Sequence, residues 1–376
     1  MGSLVNNKNS ESYPYEIMYK LNVKQDIDEH SAYESLKKIF EIQDERLRSA
    51  LLGVILNGVM IKGATLSEVV GLLDASLSLD HIVRFPRDKL KLSPNEILLG
   101  YAGSGKKGKK TVNISTPASI VAASCGGYIA KACSRSTSSL SGSSDFLKCL
   151  GIDINIDLNK KIKALEEIGV AFFSIEATTP RFAEIYGGLF YAPHALSYAL
   201  AGLSLPFEVD VMAYGLSHHN IQLSIEVFKH YGFNNAMVFN TTEDGIHYID
   251  EVGVSGTFNY ISIENGELGR ATVCPISEEL NFKNKYSMCD IMQKTNIDDN
   301  IRQVVLAICG KGEESLVDVI SANAALLIYL SHKARDLKEG FLMAKDSILS
   351  GKTYEKLKDI VEVYESDKNA LEALIL

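Results

Sequence analysis

An apolar stretch, Asn95-Glu96-Ile97-Leu98-Leu99-Gly100-Tyr101, runs into Gly103-Ser104-Gly105-Lys106-Lys107-Gly108-Lys109-Lys110, and an apolar helical run from Thr116 to Tyr128 follows. A strand, a glycine turn and a helix N-terminus in that order commit this part of the chain to α/β structure and aim the helix dipole at whatever sits in the turn. A second glycine- and hydroxyl-rich stretch, Lys131 to Asp145, lies just beyond. Glycines let successive backbone N–H groups converge on one point, hydroxyls add neutral donors and lysines add charge, which together suit a phosphate or pyrophosphate.

Gly100-x4-Gly105-Lys106 and Gly103-x4-Gly108-Lys109 each nearly spell a nucleotide P-loop, but lysine follows where a Ser or Thr must hold Mg²⁺. A solvated turn without a ligand is the ordinary fate of a charge run. The residues downstream argue against it.

Asn113-Ile114-Ser115-Thr116, followed by Lys131, Arg135 and Ser141-Gly142-Ser143-Ser144-Asp145, resembles the anthranilate phosphoribosyltransferase family, which runs GTGGDG, NIST, KHGNR and SxSGSAD. Weaker similarity extends from about residue 40 to about residue 365, through Asp250-Glu251 after Asp244-Gly245 and a closing Asn323-Ala324-Ala325, Gly340, Gly351-Lys352 stretch. The resemblance implies an α/β fold plus a small all-α domain: a large α/β lobe and an N-terminal helical lobe, paired as a homodimer through those helices. It implies Mg²⁺ as cofactor and phosphoribosyl pyrophosphate as donor. By the same carry-over Gly103 and Gly105 face the pyrophosphate, Asn113 the ribose, and Thr116 and Lys131 phosphate oxygens, with Ser115 on one Mg²⁺ and Asp250 with Glu251 on a second. Ser104, Lys106, Lys107, Arg135 and Ser139 complete the expected donor set. The family's Gly-Gly-Asp is replaced by Lys106-Lys107 after Gly105, so the loop has become cationic, a change that complements a highly charged leaving group.

With 376 residues, 46% of them hydrophobic and 23% charged, the chain can bury a large core and is expected to form two lobes. The boundaries expected are a disordered leader over 1–13, a helical domain over 14–92 with 171–205 returning to it, and a donor domain over 93–170 and 206–376. Helices are expected from Glu16 to Leu79, where Arg48 and Asn57 fall between the apolar positions Leu47, Leu51, Leu52, Ile55, Leu56 and Val59, and Thr65-Leu66-Ser67-Glu68 starts a later helix. Ala171 to Leu205 reads as apolar and helical, broken by Pro180 and Pro193 and closed by Pro206. Ala236–Phe239 and Tyr260–Ile263 read as strands, with Ser224 to Tyr231 helical. The polar N-terminal residues and the interrupted apolar runs give neither a signal peptide nor a membrane span, so a cytoplasmic location is expected. Cys125, Cys133, Cys149, Cys274, Cys289 and Cys309 include no C-x-x-C pair and read as reduced thiols. The net charge of −9 disfavours general nucleic-acid binding and favours a cationic small-molecule partner.

The acceptor positions depart most from the family. The His and Asn of KHGNR are Ala132 and Ser134, and a gapless alignment from Pro180 puts Leu189 where the family's carboxylate-pairing arginine stands. Losing that arginine would leave an unpaired carboxylate, so anthranilate is not the expected acceptor. Glu176, Thr178, Thr179, Glu184 and Tyr186 replace a basic, His-rich stretch. An amine-bearing, hydroxylated acceptor fits them, the best candidate being an aminocyclitol such as neamine in antibiotic biosynthesis, with Glu176 or Glu184 as base for its hydroxyl. His218-His219 reads as structural. Two other readings stand beside this one: a non-catalytic relative binding nucleic acid through Lys106, Lys107, Lys109 and Lys110, and a pyrimidine nucleoside phosphorylase on the same fold.

Overall fold

The computed structural model describes residues 14–135, 142–187, 190–280, 282–366 and 368–375. The expected leader over 1–13, Ser139 of the donor set and Leu189 of the acceptor set lie outside the described residues.

Four helices open the chain: α1 (Tyr15–Asn22), α2 (Glu29–Phe40), α3 (Glu45–Lys62) and α4 (Leu66–Leu77). Asp28 caps α2 and Asp44 caps α3, and Thr65 with Glu68 closes a capping box on α4, the start signal read from that tetrapeptide. Glu68 is fully buried and does more than cap: it also accepts the Ile27 N–H at 2.9 Å and pairs with Lys62 at 3.1 Å. One carboxylate thus joins the entry to α2, the end of α3 and the start of α4. Leu51, Leu52, Ile55, Leu56 and Val59 of α3 are buried as their spacing predicts, whereas Leu47 is exposed.

The α/β part begins with β1 (Leu98–Gly103), α5 (Ser115–Ser124), β2 (Tyr128–Cys133), α6 (Ser143–Cys149), α7 (Leu158–Ile168) and β3 (Val170–Ser174). After α8 (Ile175–Thr178), α9 (Pro180–Tyr186) and α10 (Leu200–Leu203) come β4 (Val211–Gly215), α11 (Ile221–His230), β5 (Ala236–Thr242), β6 (Tyr248–Ile249), β7 (Thr257–Glu264), β8 (Glu267–Leu268) and β9 (Thr272–Pro275). Then α12 (Ile276–Leu280), α13 (Ile297–Ile308), α14 (Glu314–Leu330), α15 (Leu337–Leu349), α16 (Lys352–Val363) and α17 (Lys368–Ile375) close the chain. The sheet order is β3-β2-β1-β4-β5-β7-β8, with β6 on β5 and β9 on β7. From β3 to β5 every pairing is parallel; β7 runs antiparallel to β5. Strand order reverses between β1 and β4, and in such sheets ligands bind beyond the carboxyl ends of the strands at that reversal. Helix α5 packs against β2, α14 and α16 and is buried from Thr116 to Ala123, which is why its sequence is apolar on every side.

Two expected helical spans are shorter than the sequence suggests. The helix from Thr116 ends at Ser124, because Gly126 takes a φ of +89° and Tyr128 already begins β2. Ala171 to Ser174 is strand, not helix: Gly169 ends α7 in the left-handed region, and the run Val170-Ala171-Phe172-Phe173 pairs in parallel with β2 as a fully buried strand. The chain then crosses to the helical layer, where the Arg181 and Phe182 amides donate to Asp80 and the Phe182 ring meets Phe40 edge-on at 6.3 Å. Among the described residues no helix is long and apolar enough to cross a membrane, and all six cysteines are unpaired.

Glu68 gives a stability test. Glu68→Ala leaves Lys62 its pair with Asp26 at 2.6 Å but strands the Ile27 and Thr65 amides and empties a buried site, and is expected to lower unfolding free energy by about 3 kcal/mol in urea denaturation, whereas Thr65→Ala, which removes one cap bond, should cost only about 1 kcal/mol. Equal losses would refute the hub role of Glu68.

Candidate active site

The end of β6 delivers Asp250 and Glu251 to the carboxyl ends of β1 and β4, and two glycines permit the approach. A Cβ on Gly103 would lie 2.5 Å from Asp250 Oδ2, and one on Gly215 would lie 1.9 Å from the Asp250 carbonyl oxygen. The turn after β1 is tied to the same pair: the Gly105 N–H donates to Asp250 Oδ2 at 2.8 Å, and the Ser104 N–H donates to the Gly215 carbonyl at 2.9 Å. Both carboxylates are buried, and Asp250 Oδ1 and Glu251 Oε2 have no hydrogen-bond partner. Buried, unpartnered carboxylate oxygens call for a cation, and hard oxygens of this kind fit Mg²⁺. Among the described residues no group of three or more His, Cys, Asp or Glu converges here, so a metal on this pair would complete its shell from water and substrate oxygens. Burial, the first cause, and the adjacent Asp250 push the Glu251 carboxyl up to about 7, against the pull of Lys107.

The lysines after Gly105 fold back over this pair. Lys106, at φ +55°, holds its ammonium 5.8 Å from the centre of the Tyr186 ring, and burial lowers its pKa to about 8. Lys107 is ion-paired with Glu251 and donates to Thr111 Oγ1 at 2.7 Å. Lys110 donates to the Lys107 carbonyl at 3.0 Å, and Lys109 lies 4.0 Å from Asp244. Three of the four lysines therefore point into the site rather than forming a basic face for nucleic acid.

Two cavities meet at this turn. The smaller, of about 100 Å³, is lined by Gly103, Gly105, Lys106, Lys107, Asn113, Ser115, Lys131 and Arg135 with Asp250 and Glu251. Asn113 caps the first turn of α5, its Oδ1 accepting the Thr116 N–H at 3.3 Å, so Ser115 and the helix N-terminus open into this space. Lys131 is buried on β2, 4.9 Å from the centre of the Tyr101 ring, and burial lowers its pKa. The larger cavity, of about 450 Å³, is walled by Phe182, Glu184, Tyr186, His194, Ser197 and Tyr214, with Ser104, Thr179 and Glu176 also on it. Gly103, Gly105, Lys106, Ser134, Arg135 and Ile175 line both.

Several sequence-predicted residues stand elsewhere than expected. Thr116 lines neither cavity: its side chain is fully buried behind the α5 N-terminus, with the hydroxyl unpartnered. Thr178 also lines neither, because its hydroxyl bonds back to the Ile175 carbonyl at 3.0 Å within its own short helix. Ala132, expected at the acceptor, lines the smaller cavity, whereas Ser104, expected at the donor, lines the larger one, its Oγ accepting the Ser217 N–H at 2.8 Å. Glu176 is on the larger cavity but already accepts the Arg135 N–H at 2.8 Å and the Ser174 hydroxyl at 2.9 Å, while Glu184 is exposed on the same wall. The His218 and His219 rings lie 4.1 Å apart and tilted by 37°; burial lowers the His218 pKa to about 4, and neither lines these cavities. The sequence reading missed His194 and Tyr214. His194 is buried, hydrogen-bonded to the Tyr186 hydroxyl and held neutral by desolvation, and a lone histidine after a proline carries no spacing signal.

Comparison with known proteins agrees with this geometry. Residues 95–354 match the profile of a glycosyl transferase family, α/β domain. The chain is 30% identical to the anthranilate phosphoribosyltransferase of Shewanella amazonensis over 332 residues, 86% of this chain and 90% of that one. It is 29% identical to the Aquifex aeolicus protein of the same name over 350 residues, 93% and 97% of the two chains. Among solved structures, anthranilate phosphoribosyltransferase from Thermus thermophilus superposes with a TM-score of 0.72 at 23% identity, over 93% of this chain and 99% of that one. The Saccharomyces cerevisiae protein of that name, solved with phosphoribosyl pyrophosphate and Mg, gives 0.72 at 19% identity over 96% and 99%. At these identities the two structures establish the fold.

Lys106 is expected to make anion binding at this site depend on pH. Its ammonium is charged below about pH 8 and loses its proton as pH rises through that value in the free protein. Calorimetric affinity for inorganic pyrophosphate is expected to fall between pH 7 and pH 9, and Lys106→Arg, charged throughout, to flatten that decline. A decline that survives Lys106→Arg unchanged would exclude Lys106 as its source.

Proposed function

Since the chain belongs to the anthranilate phosphoribosyltransferase family of glycosyl transferases, we propose that it moves 5-phosphoribosyl from phosphoribosyl pyrophosphate, with Mg²⁺, to an acceptor other than anthranilate. The observation that carries this reading is the shared wall: the cationic cavity at the α5 N-terminus and the larger aromatic cavity adjoin along Gly103, Gly105, Lys106, Ser134 and Arg135, which line both. Pyrophosphate in the first cavity and an acceptor in the second would present opposite faces of the ribose C1.

In the reaction the bond from C1 to the pyrophosphate oxygen breaks, an acceptor oxygen bonds to C1, and the acceptor hydroxyl loses its proton. Lys106, Lys131 and Arg135, with the N–H groups opening α5, would hold the departing pyrophosphate, and Asn113 would orient the ribose. Asp250 with Glu251 would hold one Mg²⁺ and Ser115 would face another, and the charge they would supply there would help neutralise that leaving group. Glu184, exposed on the cavity wall and free of the bonds that occupy Glu176, is the better placed of the two to take the proton.

For the acceptor, the neutral Ser134, the carboxylates Glu176 and Glu184, and the hydroxyl of Ser197 on the larger cavity support an amine-bearing polyol. An aminocyclitol such as neamine, in antibiotic biosynthesis, is the class we favour. The larger cavity, at about 450 Å³, is roomier than a single-ring acid requires. We place the enzyme in the cytoplasm, where six unpaired cysteines stay reduced.

The test is turnover of phosphoribosyl pyrophosphate and Mg²⁺ with neamine. Glu184→Gln and Glu176→Gln are expected to raise the acceptor KM several-fold with the donor KM unchanged, and Glu184→Gln, which also removes the base, to lower kcat. Unaltered acceptor kinetics in both variants would refute the carboxylate role.

We further propose a homodimer through the first helices. Leu47, Val54 and Ile61 recur every seventh residue on α3 and are exposed, as are Tyr15 and Tyr19 on the adjoining α1, giving apolar surface for a second copy to cover. Light scattering is expected to give a dimeric mass, reduced to the monomer by Val54→Glu with Ile61→Glu; a monomeric wild type at micromolar concentration would overturn this.

A further inference from the structure

Of the four carboxylate oxygens on Asp250 and Glu251, one accepts the Gly105 N–H, one is taken by the Lys107 ammonium, and two are buried without partners. Lys107 is held in place from both ends, its ammonium also donating to Thr111 Oγ1 at 2.7 Å and its carbonyl accepting from Lys110 at 3.0 Å. The cavity around the pair carries Lys106, Lys107, Lys110, Lys131 and Arg135 against two carboxylates, a formal excess of three positive charges (5 − 2). A divalent cation entering alone would meet that excess and would find one Glu251 oxygen occupied. The space beside the pair is about 100 Å³, enough for a few waters.

We propose that Lys107 is the resident counter-cation of the Asp250–Glu251 pair, keeping divalent metal out of the donor-free protein and leaving Glu251 when a pyrophosphate group draws it away. The pyrophosphate carries more negative charge than one carboxylate and offers several acceptor oxygens, so the ammonium gains by moving to it. Its departure frees Glu251 Oε1 for a metal and enlarges the cavity in the same motion. Metal and donor therefore enter together, and each tightens the other by a reciprocal coupling that passes through one lysine. The identity of what draws Lys107 away rests on the phosphoribosyl reading; the exclusion of metal does not.

The experiment is Mn²⁺ titration followed by the paramagnetic resonance of the free ion, first on protein without donor. Lys107→Ala and Lys107→Gln, the second keeping a polar side chain of similar reach as a guard against a folding defect, are expected to bind Mn²⁺ about 10–100-fold more tightly than wild type. Lys107→Arg, which keeps the charge, should stay as weak as wild type, and adding Glu251→Gln to Lys107→Ala should abolish the gain. Wild type that binds Mn²⁺ as tightly as Lys107→Ala and Lys107→Gln overturns the proposal. In a second arm phosphoribosyl pyrophosphate is added: it should tighten Mn²⁺ binding to wild type much more than to Lys107→Ala, and equal tightening in both overturns the coupling. If the donor-free difference holds but phosphoribosyl pyrophosphate binds neither protein, the donor assignment falls while the exclusion of metal by Lys107 stands.

Discussion

The site depends on a close approach that only glycine allows. Asp250 lies against Gly103 and Gly215, the last residues of adjacent parallel strands, so closely that a methyl group on either would overlap its carbonyl or its carboxylate. That contact brings the antiparallel half of the sheet, through β6, against the point where strand order reverses. Without it the carboxylates would not be buried beside the α5 N-terminus. With it, two negative charges sit where a helix dipole and a glycine turn already favour an anion, and the combination suits a metal-bound pyrophosphate better than either ion alone.

The cationic loop changes the electrostatics of that arrangement without changing its frame. Lys106 adopts a φ of +55°, in a region that residues with a side chain seldom enter, and its ammonium loses solvent between the loop and Tyr186. Such an unfavourable conformation persists only where the surroundings over-determine it, and here the bonds from Gly105 to Asp250 and from Gly108 to the Tyr248 carbonyl pin the turn on both sides. The larger cavity is built differently, from an aromatic stack of Phe182, Tyr186 and Phe190 over a buried neutral histidine, with carboxylates at its edge. One wall thus separates a strongly charged chamber from a largely apolar one.

The donor-side geometry was the more legible from sequence. Gly103, Gly105, Asn113 and Ser115 are consecutive in a strand-turn-helix unit, so local rules bring them together, and the structure has them around one cavity. Asp250-Glu251 is remote in sequence, and only its place in a family motif pointed to it. The acceptor wall was read less well because it is assembled from short, irregular pieces: Thr178 turns back to bond its own helix, and His194 and Tyr214 reach the cavity through tertiary packing that no periodicity announces. The strand at Val170–Ser174 was missed for a related reason, since a short apolar run buried on both faces looks alike whether it is helix or strand. The small strands β6, β8 and β9 carry too few residues to leave a pattern.

The central claim is that donor and acceptor chambers share the wall formed by Gly103, Gly105, Lys106, Ser134 and Arg135, and a crystal structure of the protein with phosphoribosyl pyrophosphate and Mg²⁺ tests it most directly. The account predicts pyrophosphate at the N-terminus of α5, metal on Asp250 and Glu251, Lys107 moved from Glu251 to a phosphate oxygen, and ribose C1 facing the chamber lined by Phe182, Glu184 and Tyr214. Pyrophosphate bound away from α5, or C1 turned from that chamber with Lys107 still on Glu251, would contradict it.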